Sequence, residues 1–493
     1  MIEQLPALQV VLPLLAAPLI VLARSVAFAW LCTTAVSYAC LVIALRLFSQ
    51  AAQAGPISYA LGSWPPPWGI EYRVDALSGF VLVAVSLTAS FVAPYARRSI
   101  AAEVGEERQY LMYAMYCLCL AGLLGITITG DAFNLFVFLE ISSLASYVLI
   151  ALGAHRRALM AAYQYMLMGT VGATFYVIGV GLLYLMTGTL NFADMAQRLG
   201  GVQDVRPVLA ALGFITVGIG LKLALFPLHQ WLPNAYAYAP SMATAFLAAT
   251  ATKVSAYVLL RFYFTVFDPV PLFERLPTRE TFVALSVAAM ITASLVAVFE
   301  ADLKRLFAYS SVAQIGYITL GIGIDNQASL TGSIAHLLNH GVTKGAIFLL
   351  IGGVALRMGA ARVTVAGLAG LGRRMPLTAL GLAIGGLSLA GVPGTAGFVT
   401  KWYLIVGALE RGWWWVVAAI VASSLIAVVY VWRVIEAAYL RPGPDAGERR
   451  EAPAAMLCAG LAMAALCVYF GFDTTFSVGG AREAAALLLP GKP

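Results

Sequence analysis

Long apolar runs, each near the length of a bilayer crossing and separated by short polar punctuation, set the pattern of this chain. At 1.5 Å of helical rise per residue, about 20 apolar residues span the hydrocarbon core. Such runs fall at about 7–23, 26–48, 74–94, 109–129, 132–153, 160–187, 207–226 and 240–266. They continue at about 281–299, 304–323, 330–356, 376–409, 413–440 and 454–472. The pattern predicts an all-α polytopic membrane protein of about fourteen transmembrane helices, with both termini on one side. Two runs are interrupted. Pro227, Pro233 and Pro240 punctuate the link after 207–226, and Gly391, Pro393, Gly394 and Gly397 cluster inside 376–409. Proline removes a backbone donor and clashes with the preceding turn, so two broken helices are expected. Backbone freed inside a membrane points to a cavity or a transport site. The stretch 55–73, GPISYALGSWPPPWGIEYR, cannot be helical through its prolines and reads as an outer-face hairpin with tryptophans near the interface.

Composition supports the membrane reading: 61% of the 493 residues are hydrophobic and 11% charged, against about 25% charged in soluble domains. The net charge of +7 is scattered through short loops, which excludes a nucleic-acid patch. Odd-numbered loops hold Arg97, Arg98, Arg156, Arg157, Lys304, Arg305, Arg362, Arg373, Arg374, Arg449 and Arg450. Even-numbered loops hold only Arg73, Arg198, Arg206, Arg275, Arg279 and Arg411. Positive loops stay cytoplasmic, so both termini are expected on the outer side of the cell inner membrane. The six cysteines lie in apolar runs with no CxxC pair, which suggests neither disulfide, metal nor cluster. Glu3 and the absence of an early basic residue predict a retained first helix, not a signal peptide.

Charges inside the apolar runs carry the candidate chemistry. A cation near the bilayer centre costs roughly 2.5–3.5 kcal/mol, yet Lys222 and Lys253 sit in successive runs around the first break. Snorkelling to an interface remains open for Lys222 but not for Lys253, about thirteen residues into its run. Glu140 is the sole charge in its run and needs a proton or a cationic partner. Asp131 reads as the cap of that helix. His336, His340 and Lys344 stand four apart, on one helical face. Such a row suits proton hopping, since histidine exchanges protons near neutrality and buried lysine can act as donor and acceptor. Structural polar packing or a metal held by the two histidines are the alternatives, though no third ligand is evident and Lys344 would repel a cation. Lys401 stands beside the second break. His229 is as readily interfacial as part of a route, Arg261 reads as an interface anchor, and Glu300, Asp302 and Lys304 read as solvated turn charges.

Spacing suggests an internal duplication. Lys222 to Lys253 is 31 residues and Lys401 to Arg433 is 32. The two break lysines lie five helices apart, an odd offset that implies inverted repeats. The expected organisation is helices 1–3 in 1–107, helices 4–8 in 108–266, helices 9–13 in 281–440, and helix 14 with a tail in 441–493. The position matching Glu140, near 319, offers Gln314 and Thr319 but no acid.

Several stretches resemble the antiporter-like subunits of the complex I superfamily: LKLALFPLHQWLPNAYAYAPS, the Glu140 helix, EADLKRLFAYSSVAQIGYITLG, HLLNHGVTKGAIFLLIGG and AGVPGTAGFVTKWYL. The resemblance is greatest to the D-type member of Mrp-type cation/proton antiporters, through the GSWPPPWGIEYRVDALSG loop and a lysine at the second broken helix. It implies fourteen core helices, two inverted five-helix repeats and a hydrophilic axis in the membrane plane. Carried over by position, Glu140 and Lys222 form the acid–lysine pair, Lys253 connects, and His336, His340 and Lys344 link to the terminal Lys401. Protons would enter at Lys222 or Lys253 and leave near Lys401. Implied partners are other hydrophobic subunits, protons and a monovalent cation, with Na+ expected, and no cofactor. A second class is a proton-pumping subunit of a complex I-like or hydrogenase redox complex. This chain has no cluster-binding cysteines, flavin or nucleotide motif, so it could not perform the redox step itself. A purely structural scaffold is a third class, weakened by the cost of several buried charges.

Overall fold

The computed structural model describes residues 2–268, 270, 276–359, 362–443 and 449–489, so Arg275 of the loop comparison lies outside the described residues. The N-terminal half consists of α1 (Leu5–Ala23), α2 (Val26–Ala54), α3 (Ala76–Glu103), α4 (Gln109–Ile128), α5 (Ala132–Ala151) and α6 (Arg157–Thr187). A short α7 (Phe192–Leu199) then precedes α8 (Arg206–Leu223), α9 (Leu232–Tyr238) and α10 (Ser241–Arg261). The second half runs through α11 (Thr278–Phe299), α12 (Leu303–Ile324), α13 (Gln327–Met358), α14 (Pro376–Ala390), α15 (Ala396–Glu410) and α16 (Trp414–Tyr439). It closes with α17 (Ala454–Phe472) and α18 (Ser477–Leu488). Among the described residues, 13 helices are long and apolar enough to cross a membrane. The broken pair α14/α15 adds the remaining expected crossing.

Both breaks form where the sequence places them. α8 ends because Ala224 takes the left-handed conformation (φ 60°, ψ 43°) ahead of Pro227. The indole of Trp231 returns from the link to donate to the orphaned Leu221 carbonyl at 2.9 Å. α14 ends on left-handed Gly391 (φ 84°), a conformation that glycine adopts without a Cβ clash.

α10 and α12 are buried along almost their whole length, and α13 packs against both while touching α3, α14, α15, α17 and α18. The apolar side chains that remain exposed lie on peripheral helices, including Leu159, Leu167 and Val171 of α6 and Leu425, Val429 and Trp432 of α16. That distribution suits a bundle solvated by lipid or by neighbouring subunits, with its polar positions turned inward.

The proline-rich stretch forms the expected hairpin, β1 (Ile57–Ala60) antiparallel to β2 (Glu71–Val74), with Trp64 and Trp68 exposed. The buried Glu71 carboxylate accepts from Ser58 Oγ at 2.5 Å and Asn191 Nδ2 at 2.8 Å. This ties the hairpin to the start of α7, an amphipathic helix the apolar pattern does not reveal. Asp131 caps α5 as expected, accepting the Asn134 amide at 2.7 Å.

Three readings of individual charges require correction. Arg261 is no interface anchor; it is buried at the end of α10, donating to Asp75 and to Tyr257 Oη (3.0 Å). Asp302 is no solvated turn charge, because it is buried and caps α12 through the Arg305 amide at 2.9 Å. Lys304 is also buried, its ammonium donating to the Ala239 carbonyl at 3.0 Å. Packing against the α9–α10 junction removes Lys304 from the solvent that its place in a turn suggested. The tail contains a helix, α18, packed on α3 and α13.

Candidate functional site: a row of buried titratable groups

Lys222 occupies the last turn of α8 and is 4% exposed. Its ammonium donates to Ser143 Oγ at 2.6 Å and to Glu140 Oε1 at 3.4 Å. Glu140 and Ser143 stand three residues apart on α5, so they present one face to the lysine. The Glu140 side chain keeps 27% of its surface open, whereas the lysine side chain keeps 3%. Snorkelling is excluded for Lys222. A cavity of about 20 Å³ beside it is lined by four serines (Ser142, Ser143, Ser146 and Ser255) and Tyr165 together with apolar side chains such as Leu123 and Leu139; a space of that size admits about one water.

Lys253, at mid-length on α10, is 2% exposed and donates to the Ala248 carbonyl and to Thr252 Oγ1 (3.4 Å). α10 lies close against α13. A Cβ on Gly341 would come within 2.9 Å of the Ala249 carbonyl oxygen, so only glycine allows this approach.

His336, His340 and Lys344 on α13 are each no more than 2% exposed. The two imidazole rings stack with centroids 5.3 Å apart and planes 13° from parallel. His336 Nδ1 pairs with Thr400 Oγ1 of α15 at 2.8 Å, whereas no group among the described residues bonds either nitrogen of His340. Lys344 turns towards α12, donating to the Phe307 carbonyl at 2.7 Å and to Ser310 Oγ. The row therefore bridges two neighbouring helices. Among the described residues no cluster of three His, Cys, Asp or Glu could hold a metal ion.

Lys401, on α15 just past the second break, is 4% exposed. Its ammonium donates to the Leu389 and Ala390 carbonyls at 2.9 and 3.0 Å and to Ser424 Oγ at 3.0 Å. It also lies 4.7 Å from the Tyr317 ring centroid. Gln314 Nε2 donates to the same Leu389 carbonyl at 3.4 Å. Gln314, one of the two neutral residues near the position expected to match Glu140, thus shares an acceptor with the second lysine. Thr319 instead pairs with Ser286. Arg433 does not mirror Lys253: it donates to the Val298 carbonyl at the end of α11. His229 stacks on Phe226 in the link, with centroids 5.3 Å apart.

Sequence reasoning singled out the charged members and missed their hydroxyl partners Ser143, Ser310, Thr400 and Ser424. Only Ser143 carried a usable signal, one turn beyond Glu140 on the same face.

Residues 129–427 match the family model described as NADH:quinone oxidoreductase/Mrp antiporter, transmembrane. The chain belongs to this family. It is 44% identical over 413 residues to NADH-quinone oxidoreductase subunit N of Desulforudis audaxviator, covering 83% of this chain and 81% of that protein. It is 32% identical over 368 residues to the D component of the Na(+)/H(+) antiporter of Alkalihalophilus pseudofirmus, covering 75% and 73%. Among solved structures, it superposes on a chain of the membrane-bound sulfane sulfur reductase, an archaeal respiratory membrane complex. That match has a TM-score of 0.90, 29% identity and 98% coverage of both chains. It also superposes on a chain of the Mrp complex from Dietzia sp. with a TM-score of 0.89 and 26% identity, covering 99% and 97%. This member of the complex I superfamily is an antiporter-like, polytopic membrane subunit, and these structural neighbours are parts of multisubunit membrane complexes.

Proposed function

We propose that the chain is the proton-translocating subunit of a multisubunit Mrp-type monovalent cation/proton antiporter, with Na+ the expected cation. The observation that carries this reading is the row itself. Lys222, Lys253, His336, His340, Lys344 and Lys401 are all at most 4% exposed, and Glu140 is the acid paired with one end. Burying so many exchangeable groups is costly, and a route for charge accounts for them better than packing does.

In this reading Glu140 holds the charged form of Lys222 while the two are close. Their attraction at about 4 Å and an effective dielectric of about 20 is roughly 4 kcal/mol, and separating them releases the proton inward. It passes by way of Lys253 to the imidazoles and Lys344, and Lys401 delivers it at the far end. Residues 108–266 and 281–440 would act as two inverted halves. The basic odd-numbered loops would face the cytoplasm of the cell inner membrane, with both termini outward. The test is cation-dependent proton flux in vesicles containing the purified complex. Flux that survives Lys222→Ala and Lys401→Ala at normal protein abundance would refute the reading.

A second reading has its own support in the 44% identity to a quinone-oxidoreductase subunit: a proton-pumping subunit of a redox-driven complex. Purification of the native complex separates the two. Co-purifying flavin or iron–sulfur subunits favour redox drive, and small hydrophobic partners alone favour antiport.

A further inference from the structure

A half-open cavity of about 340 Å³ lies on the face that carries the basic loops, where α3 ends and α9 meets α10. Its lining includes Ala102, Glu103, Tyr238, Ser241, Lys304 and Ala355. At about 30 Å³ per molecule, that volume holds on the order of ten waters. Neither Glu103 nor Lys304 belongs to the row of titratable groups.

The two charges are fixed by the same junction in opposite senses. Lys304 donates to the Ala239 carbonyl, at the C-terminal end of α9, where a helix carries its negative pole. Glu103 accepts from the amide and hydroxyl of Ser241, at the N-terminal end of α10, where the pole is positive. A third bond, from Ser99 Oγ at 2.7 Å, orients the same carboxylate. Both charges line the cavity, each held in place by a helix end. Two charges are thus held fixed in a wall that is otherwise largely apolar.

The cavity is also close to the buried row. Lys304, Phe307 and Ser310 lie on successive turns of α12, and Lys344 donates to the latter two. Lys304 and the first acceptor of Lys344 are thus three residues, about 4.5 Å of helical rise, apart. Aromatic rings surround the lysine end of this step. The Lys344 ammonium lies 5.7 Å from the Phe307 ring centroid and 5.9 Å from that of Phe348, which Tyr236 meets edge-on at 5.9 Å.

We infer that this vestibule is the aqueous port through which Lys344 exchanges protons with the basic-loop side, past the gate formed by Phe307, Phe348 and Tyr236. A hydronium in the vestibule gives its proton to the neutral Lys344 amine and leaves as water, and the reverse step returns it. The inference rests on the proton-translocation reading above.

Port blocking tests it in the assembled complex, with Cys32 and Cys458 replaced by serine, since neither is fully buried. Ala102→Cys places a thiol in the vestibule wall. Ala101→Cys places one on the next residue, which is exposed but outside the lining. Both are treated with a bulky, membrane-impermeant methanethiosulfonate from either side of the membrane. The expected result is reaction from the basic-loop side only, with proton flux reduced about tenfold or more for the Ala102→Cys protein. Flux should return when the mixed disulfide is reduced, and labelled Ala101→Cys should keep its flux. Full labelling of Ala102→Cys with undiminished flux would overturn the port, as would reaction only from the hairpin side. Absence of cation-driven flux before labelling would count against the translocation reading instead.

Discussion

The two break lysines meet the same problem, a cation deep in an apolar bundle, with different chemistry. Lys222 stands before its break and is matched by a full carboxylate, Glu140, with Ser143 beside it. Lys401 stands after its break and takes the last carbonyls of α14, Leu389 and Ala390, with Ser424 and the Tyr317 face completing the shell. The end of a helix carries roughly half a negative charge, fixed in the backbone. A carboxylate carries a whole charge on a side chain that can swing. The first site can therefore change its hold on the lysine by moving the acid, whereas the acceptors of the second are fixed in the backbone and move only with the broken helix. In the proposed reading the first is a switch and the second a fixed terminus.

The comparison can be broken or sharpened by substitution, with flux measured at equal protein abundance. Lys222→Ala should lower cation-driven proton flux about 100-fold or more, the scale of losing a positioned proton-transfer group. Lys222→Arg should not restore it, because guanidinium does not give up its proton; a restored flux would mean that the site needs only fixed charge. Glu140→Gln removes an attraction of roughly 4 kcal/mol, part of which Ser143 offsets, so a loss of about tenfold is expected in the same assay. At the second site, Gly391→Ala should cost about 1–2 kcal/mol for a left-handed alanine. Its new Cβ would also lie 2.9 Å from Lys401 Cδ. Flux should fall several-fold, less than for Glu140→Gln. Gln314→Glu, which gives Lys401 the kind of partner that Lys222 has, should slow flux by a smaller factor; an increase would contradict the fixed-terminus reading.

Much of this architecture was legible in the chain. Apolar run length located the crossings, and Pro227, Gly391 and Pro393 marked the breaks, because both signals act over a few residues. The buried charges were legible because a lysine inside twenty apolar residues has no cheap explanation. Contacts across long separations were less so. That Lys401 rests on the carbonyls of its own broken helix depends on how α14 turns at Gly391, which composition does not encode. Lys304 and Arg261 were misread for one reason: a charge near a helix end resembles a solvated one until a neighbouring element covers it. Arg433 illustrates the converse, since matched spacing gave it a counterpart role that its bond to Val298 does not support.

The Asp75–Arg261 pair has its own pH signature. Burial alone would raise the Asp75 carboxyl, but Arg261 and the Ser78 bonds outweigh it and hold the group below its usual value of 3.8. A carboxyl depressed on folding stabilises above its unfolded value, and that contribution is lost as pH falls through the lower folded value. Thermal unfolding of the purified protein should therefore show an acid-side loss below about pH 4 that Asp75→Asn removes. The same substitution should lower stability at neutral pH by about 3–5 kcal/mol, because it strands a buried guanidinium.

That pair also bears on what the membrane protein must not do. A path of exchangeable protons is a potential short circuit, and each slip dissipates about 2.3 kcal/mol per 100 mV. On α10, Tyr257 and Arg261 follow Lys253 at one-turn intervals, and Tyr257 spends its own proton on the Thr127 carbonyl. Arg261, which keeps every proton it has, is locked to Asp75. In the proposed reading, a residue that cannot pass a proton on ends the route there. The hairpin side of α10 would then be, in electrical terms, its insulation.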